Sequence, residues 1–216
     1  MRYVYADGIK QKRRGRVWLL ILGIVLFLAG LYLLVNTIWP ALPEIGADNQ
    51  ATAKKLVATQ PEVGGDRLYL PQINVDVAVV EINGNETAAL DKGAIHRAPA
   101  SGNPKDGGNF VVAAHRFTMG LTPAQTRLKS PFYHIDKIEV DDEIYVDYAG
   151  ERYAYRVSEK KTVAPNEISI ERRTETPQLT LYSCGLNGER DNREVIVAKP
   201  VGTVAWTEGQ PKIKKF

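Results

Sequence analysis

The sequence predicts an all-β closed barrel with short helices, preceded by one N-terminal transmembrane helix. Three observations carry this. From Leu68 onward, apolar residues alternate with polar ones in seven or eight short runs separated by Gly, Pro and Asn, the signature of half-buried strands joined by turns. The one long charge-free apolar run lies near the N-terminus. The residues best suited to chemistry fall where strands begin or end, which is how a sheet scaffold gathers a site from distant sequence.

Residues 17–39 hold 23 residues without a charge. As a helix this run spans roughly 34 Å, enough for a hydrocarbon core of about 30 Å. Trp18, Tyr32 and Trp39 sit towards its ends, as interfacial aromatics do. The run exceeds a typical signal-peptide core, and Trp39-Pro40 stands where a small-residue cleavage site belongs. It reads as a retained signal anchor. Residues 1–16 hold six of the 28 Lys and Arg and one of the 25 Asp and Glu. That asymmetry predicts a cytoplasmic N-terminus and an extracellular bulk. It also leaves the remainder of the chain near neutral, which argues against a nucleic-acid surface.

Residues 40–65 read as a linker, with a short helix over 51–58. Residues 66–202 form the globular domain. Leu68, Leu70, Ile73, Val75, Val77 and Val79 give two short strands or one kinked at Pro71. Residues 86–90 suit one helical turn, and 99–108 a loop. Phe110 to Ala114 is a strand, 117–129 a loop with a helical turn, and 132–135 a turn packing aromatics inward. Residues 143–148 and 152–157 pair as a hairpin about Ala149-Gly150. The polar stretch 163–177 is a candidate lid or substrate wall. Residues 203–216 are expected to be a solvated, partly disordered tail.

The stretch QLTLYSCGLNGERDNREVIVA (178–198) organises the rest. Leu179 to Ser183 alternates as a strand that ends at Cys184, the chain's single cysteine; Glu194 to Ala198 is a second strand that Arg193 opens. If the two are neighbours, a loop this short brings thiol and guanidinium together, and a fixed cation favours the thiolate. His115 ends the strand Phe110 to Ala114 and supplies a candidate base. His96 and His134 read as wall or packed residues, and Arg116 as a solvated neighbour of the site. One cysteine forms no internal disulfide and no CxxC pair, and no His, Cys and carboxylate spacing suits a metal, so neither metal nor cofactor is expected. Asp141-Asp142-Glu143 reads as a solvated turn.

These residues resemble the sortase family. Thr180-Leu181-Tyr182-Ser183-Cys184 is similar to its TLxTC motif, with Ser183 for the second Thr. Asn109 to Arg116 is similar to the strand ending in Gly-His, with Ala114 for the Gly, and Arg193 to Ala198 to the strand opened by an arginine. The likeness covers roughly residues 66–202. It implies a closed eight-stranded sortase-like β-barrel with the active site on one face. It implies a cysteine transpeptidase in which Cys184 is the nucleophile, His115 the general acid/base and Arg193 the stabiliser of the oxyanion, with Thr180, Ser183 and His96 lining the substrate site. By the same resemblance the donor is a secreted protein with an LPxTG-like sorting signal, and the acceptor a cell-wall or pilin amine. Leu42-Pro43-Glu44-Ile45-Gly46 looks like such a signal with Ile for Thr, but it follows the apolar span where a sorting signal precedes one. A hydrolytic cysteine peptidase and a non-catalytic peptide-binding barrel are the alternative readings.

Overall fold

A computed structural model of the protein describes residues 7–42, 58–207 and 210–216. Helix α1 (Asp7–Ile38) leads into a 3-10 turn, Trp39–Ala41. Ten strands follow: β1 (Arg67–Leu70), β2 (Val75–Val80), β3 (Ala94–His96), β4 (Gly102–Asn103), β5 (Gly107–Ala113), β6 (Glu143–Tyr148), β7 (Glu151–Val163), β8 (Gln178–Gly185), β9 (Gly188–Thr207) and β10 (Gln210–Lys215). Among the described residues, two short helices, α2 (Glu86–Leu90) and α3 (Pro123–Leu128), are capped by Asn85 and Thr122, whose side chains accept from the third residue on.

Eight strands close a ring of pairings in the order β1-β2-β3-β5-β8-β9-β7-β6 and back to β1. The pairs β2/β3 and β5/β8 are parallel, and the other ring pairs are antiparallel. Inward residues alternate along each strand. Leu68 and Leu70, Phe110, Val112 and Ala114, Leu179 and Leu181, and Ile196 and Ala198 fill one core with Phe132, Ile135 and Ile138. Each Leu, Ile, Val or Phe among them contributes about 1.5–3 kcal/mol on burial. Ala149 and Gly150 turn the β6–β7 hairpin with φ of 51° and 83°, the left-handed pair a two-residue turn demands.

Pro71 opens a 3-10 turn (Pro71–Ile73) between β1 and β2, so the early apolar run is two strands. The structure corrects three expectations. Residues 203–216 are not a loose tail: β9 runs on to Thr207 and β10 folds back along it, and Val204, Trp206 and Ile213 pack with Tyr69, Tyr145 and Ala154. Their period-2 alternation was masked in the sequence by lysines on the opposite face. The segment between Cys184 and Arg193 is a tight hairpin in which Gly185 faces Gly188. Arg193 accordingly lies within β9, not at its start. Arg116 is buried, with Nη2 donating to Asp136 Oδ1 at 2.7 Å. The helix expected over 51–58 and the Leu42–Gly46 motif fall almost wholly outside the described residues.

From Arg16 to Ala41 the chain is apolar, with a mean hydropathy of 2.7, and it is exposed except at Asn36 and Pro40. Its C-terminal end is fixed to the barrel. Asn36 Nδ2 donates to Gly120 O at 2.8 Å, Arg127 Nη2 donates to Trp39 O and Leu42 O, and His134 Nε2 donates to Pro40 O at 2.9 Å.

Candidate active site

Three strands bring the candidate residues together. Cys184 on β8 is the direct cross-strand partner of Arg193 on β9, and antiparallel partners project from the same face. On the other flank β5 runs parallel to β8 with Ala113 beside Tyr182, and Ala114 N donates to Tyr182 O at 3.3 Å. His115 lies two residues beyond Ala113, as Cys184 lies two beyond Tyr182. The register therefore puts His115 level with Cys184. Because Ala114, Leu181 and Ile196 face the core, the alternation sends His115, Cys184 and Arg193 outward. Imidazole, thiol and guanidinium thus share the outer face at one end of the β5-β8-β9 sheet.

Cys184 is a free thiol and half-buried. Arg193 is also half-buried, and its Nη1 donates to Asp191 O at 2.8 Å. The Asp191 carboxylate accepts from Asn187 N and Asn192 N, and these donors hold it below its ordinary value of 3.8. The His115 side chain is 25% exposed, its Nε2 lies 4.0 Å from Asp91 Oδ1, and its carbonyl accepts from Phe132 N. That separation is beyond a hydrogen bond. Asp91 also holds Lys129 Nζ at 2.7 Å. No sequence pattern singled out Asp91, since a carboxylate after a one-turn helix is an ordinary surface residue until the fold sets it behind an imidazole.

The three proposed substrate-lining residues are placed differently from expectation. Thr180 is 1% exposed and its hydroxyl donates to Asn109 Oδ1 at 2.7 Å. Ser183 is 1% exposed, faces inward like Leu181, and donates to Cys184 O at 3.1 Å. His96 is 3% exposed, with Nδ1 2.8 Å from Glu81 Oε1, Nε2 3.2 Å from Gly102 O, and its ring edge-on to Phe110. All three lie beneath the outer face: parity along β8 and β3 turns Ser183 and His96 inward, while Thr180, which shares the parity of Cys184, is covered by residues 164–177. They support the site from behind.

Residues 164–177 cover the outer face next to the site. Asn109 Nδ2 donates to both Ile170 O and Arg172 O at 2.9 Å, clipping a 3-10 turn (Ile168–Glu171) onto β5 and β8. Glu171 accepts from Tyr182 OH at 2.5 Å and from Arg97 Nε at 3.1 Å, while Arg97 Nη1 donates to Glu86 at 2.6 Å. Burial, then the Glu171 carboxylate, pushes the Tyr182 phenol up, so it stays a donor. The contacts of Asn109 with the covering segment and of Arg97 with Glu171 were not recognised in the sequence, since their partners lie 61 to 74 positions apart along the chain.

The profile of the sortase domain matches residues 68–201. Sortase A of Listeria monocytogenes serovar 1/2a is 29% identical over 126 residues, which cover 58% of this chain and 52% of that protein; the chain thus spans about half the length of the curated relative. Solved structures agree. Listeria monocytogenes sortase A superposes with a TM-score of 0.53 and 27% identity over 70% of this chain and 92% of that one. Streptococcus agalactiae sortase C1 gives 0.53 and 25% over 66% and 68%. Streptococcus pneumoniae sortase C gives 0.55 over 67% and 72%, at 22% identity, a likeness of fold. With the profile matched across more than half of its length, this chain belongs to the sortase family.

Proposed function

We propose that the protein is a sortase-type cysteine transpeptidase, anchored by α1, that cleaves an LPxTG-like sorting signal and joins the released protein to an amine of the cell wall or of a pilin. The observation that carries this is the pairing of Cys184 with Arg193, with His115 level on the neighbouring strand, all on one outer face. Family membership supports the reaction type, and the likeness to the Streptococcus pneumoniae sortase C, which is described with a pilin substrate specificity, supports a pilin amine as one acceptor.

The Cys184 thiolate attacks the scissile carbonyl, and Arg193 donates to the oxygen as it gains charge. The amide C–N bond breaks, His115 as imidazolium gives its proton to the leaving amine, and a thioester remains on Cys184. The acceptor amine then attacks the thioester and loses a proton to His115. A new amide forms and the thiolate leaves, restoring the starting charges. Asp91, 4.0 Å from the imidazole, faces the positive form with a negative charge. α1 as a single-pass anchor, with the basic residues before it in the cytoplasm, sets the barrel outside the cell.

The test is full-length protein with an LPxTG-like peptide, with and without added amine, read by mass spectrometry. The expected results are an acyl-enzyme on Cys184 and an amine-linked product, both lost in Cys184→Ala. Processing by Cys184→Ala refutes the mechanism, and water-only products in excess amine assign a peptidase instead.

A further inference from the structure

The end of α1 meets a loop of the barrel rather than open solvent. Asn36 is 1% exposed although it sits in an apolar helix; its amide donates to Gly120 O, and its Oδ1 accepts from Thr126 Oγ1 at 2.5 Å. Tyr32 OH donates to Leu121 O. Thr37 Oγ1 donates to Leu33 O within the helix. The polar groups of the outer part of α1 are thus satisfied, two of them by residues 120–126, which is what a polar side chain requires at membrane depth.

The position of that loop along the helix is informative. Tyr32 stands sixteen residues beyond Arg16, about 24 Å along a helix, and Asn36 about 30 Å. A hydrocarbon core is about 30 Å thick. With the core starting just past Arg16, the backbone at Leu121 lies at the depth of the outer acyl-headgroup boundary. The side chains around it suit that place. Leu121 is 79% exposed, Leu128 62% and Met119 46%, an apolar group beside the exposed Trp39. Arg127 sits among them, its guanidinium on the carbonyls that end the helix.

We propose that residues 117–128 form a second membrane contact, in which Leu121, Met119 and Leu128 insert into the outer-leaflet interface of the lipid bilayer beside α1. The occupant of this apolar surface is lipid, because the surface is continuous with the exposed flank of the anchor helix. The loop follows His115 closely in the chain, so the contact fixes the tilt of the candidate site relative to the membrane. This inference rests on α1 being an anchor.

The test uses the full chain in nanodiscs holding one protein each, on a Cys184→Ala background. Leu121→Cys carries an environment-sensitive fluorophore, with Leu28→Cys and Leu186→Cys as separate controls. The expected result is a blue-shifted label at 121, quenched by lipid nitroxides near the headgroup and shielded from iodide. The label at 28 is quenched by deep nitroxides, and the label at 186, on the β8–β9 turn, by iodide alone. If the label at 28 is lipid-buried and that at 121 is open to iodide, the loop contact is refuted while the anchor stands. If both are open, the anchor reading fails and the contact with it. Shielding at 121 that appears only with two or more proteins per disc assigns the surface to a second copy and also overturns the proposal.

Discussion

A methyl group on Gly185 would stand 2.1 Å from Oδ2 of Asp191, so the glycine is what allows that carboxylate to fold back over the β8–β9 turn. There it accepts from the main-chain N and the side-chain Nδ2 of Asn187, each at 3.1 Å, while the Asp191 carbonyl receives Arg193 Nη1. The aim of the arginine opposite Cys184 therefore depends on a missing Cβ one residue past the thiol. Gly185→Ala is expected to lower kcat/KM for a sorting peptide by on the order of 10²-fold, the cost of misplacing a reacting group by about 1 Å. The melting temperature should move little, since the turn is exposed. Kinetics alongside thermal melts check this, and full activity in the variant contradicts the coupling.

The same carboxylate sets an acid limit on the hairpin. The N–H groups of Asn187 and then Asn192 hold Asp191 below 3.8, so its folded value is lower than its unfolded one. Its contribution is therefore fully present above 3.8 and is lost as pH falls through the lower folded value. The Asn187 and Asn192 amide resonances should titrate together below 3.8, and Asp191→Asn should abolish the titration. A midpoint at or above 3.8 contradicts the hydrogen bonding.

Strand parity was legible in the sequence because alternation and the turns at Ala149-Gly150 and Pro71 are local signals. The three candidate residues were legible for the same reason, since His115 and Cys184 end apolar runs and Arg193 precedes one. What supports them was not. Thr180, Ser183 and His96 carry the right chemistry, yet parity and the covering residues 164–177 bury them. Asn109, Glu171 and Asp91 act across crossovers that no periodicity encodes. The hairpin β9–β10 was missed because Lys212, Lys214 and Lys215 give its outer face the composition of a tail.

Asn109 is the clip whose loss should be most visible. Its amide donates to two carbonyls of the covering segment and its oxygen accepts from Thr180. Asn109→Ala strands those groups, at about 1–3 kcal/mol for each left unsatisfied. The opening should be local, because β5 keeps its pairing with β8. Hydrogen exchange is expected to accelerate over residues 164–177 while the strands stay protected, and unchanged protection there contradicts the assignment.

The strongest charge in the interior lies away from the site. Arg152 is 1% exposed and grips Asp147 through Nε at 2.6 Å and Nη2 at 2.7 Å, with its guanidinium 4.6 Å from the Tyr69 ring and 5.4 Å from that of Trp206. Tyr69 OH donates to Asp147 Oδ2 at 2.9 Å; burial first, then this bond, pushes the phenol up to about 12. Its folded value thus exceeds the ordinary 10.0, and the stabilisation it brings is complete below 10.0 and lost as pH rises toward 12. Arg152→Met leaves Asp147 buried and uncompensated and is expected to cost about 3–5 kcal/mol. Adding Asp147→Leu removes the stranded charge, so the double variant should recover most of that loss. Urea unfolding of the three proteins checks the sign. A double variant as unstable as Arg152→Met would show that the pair, rather than the orphaned carboxylate, holds the C-terminal hairpin against the barrel.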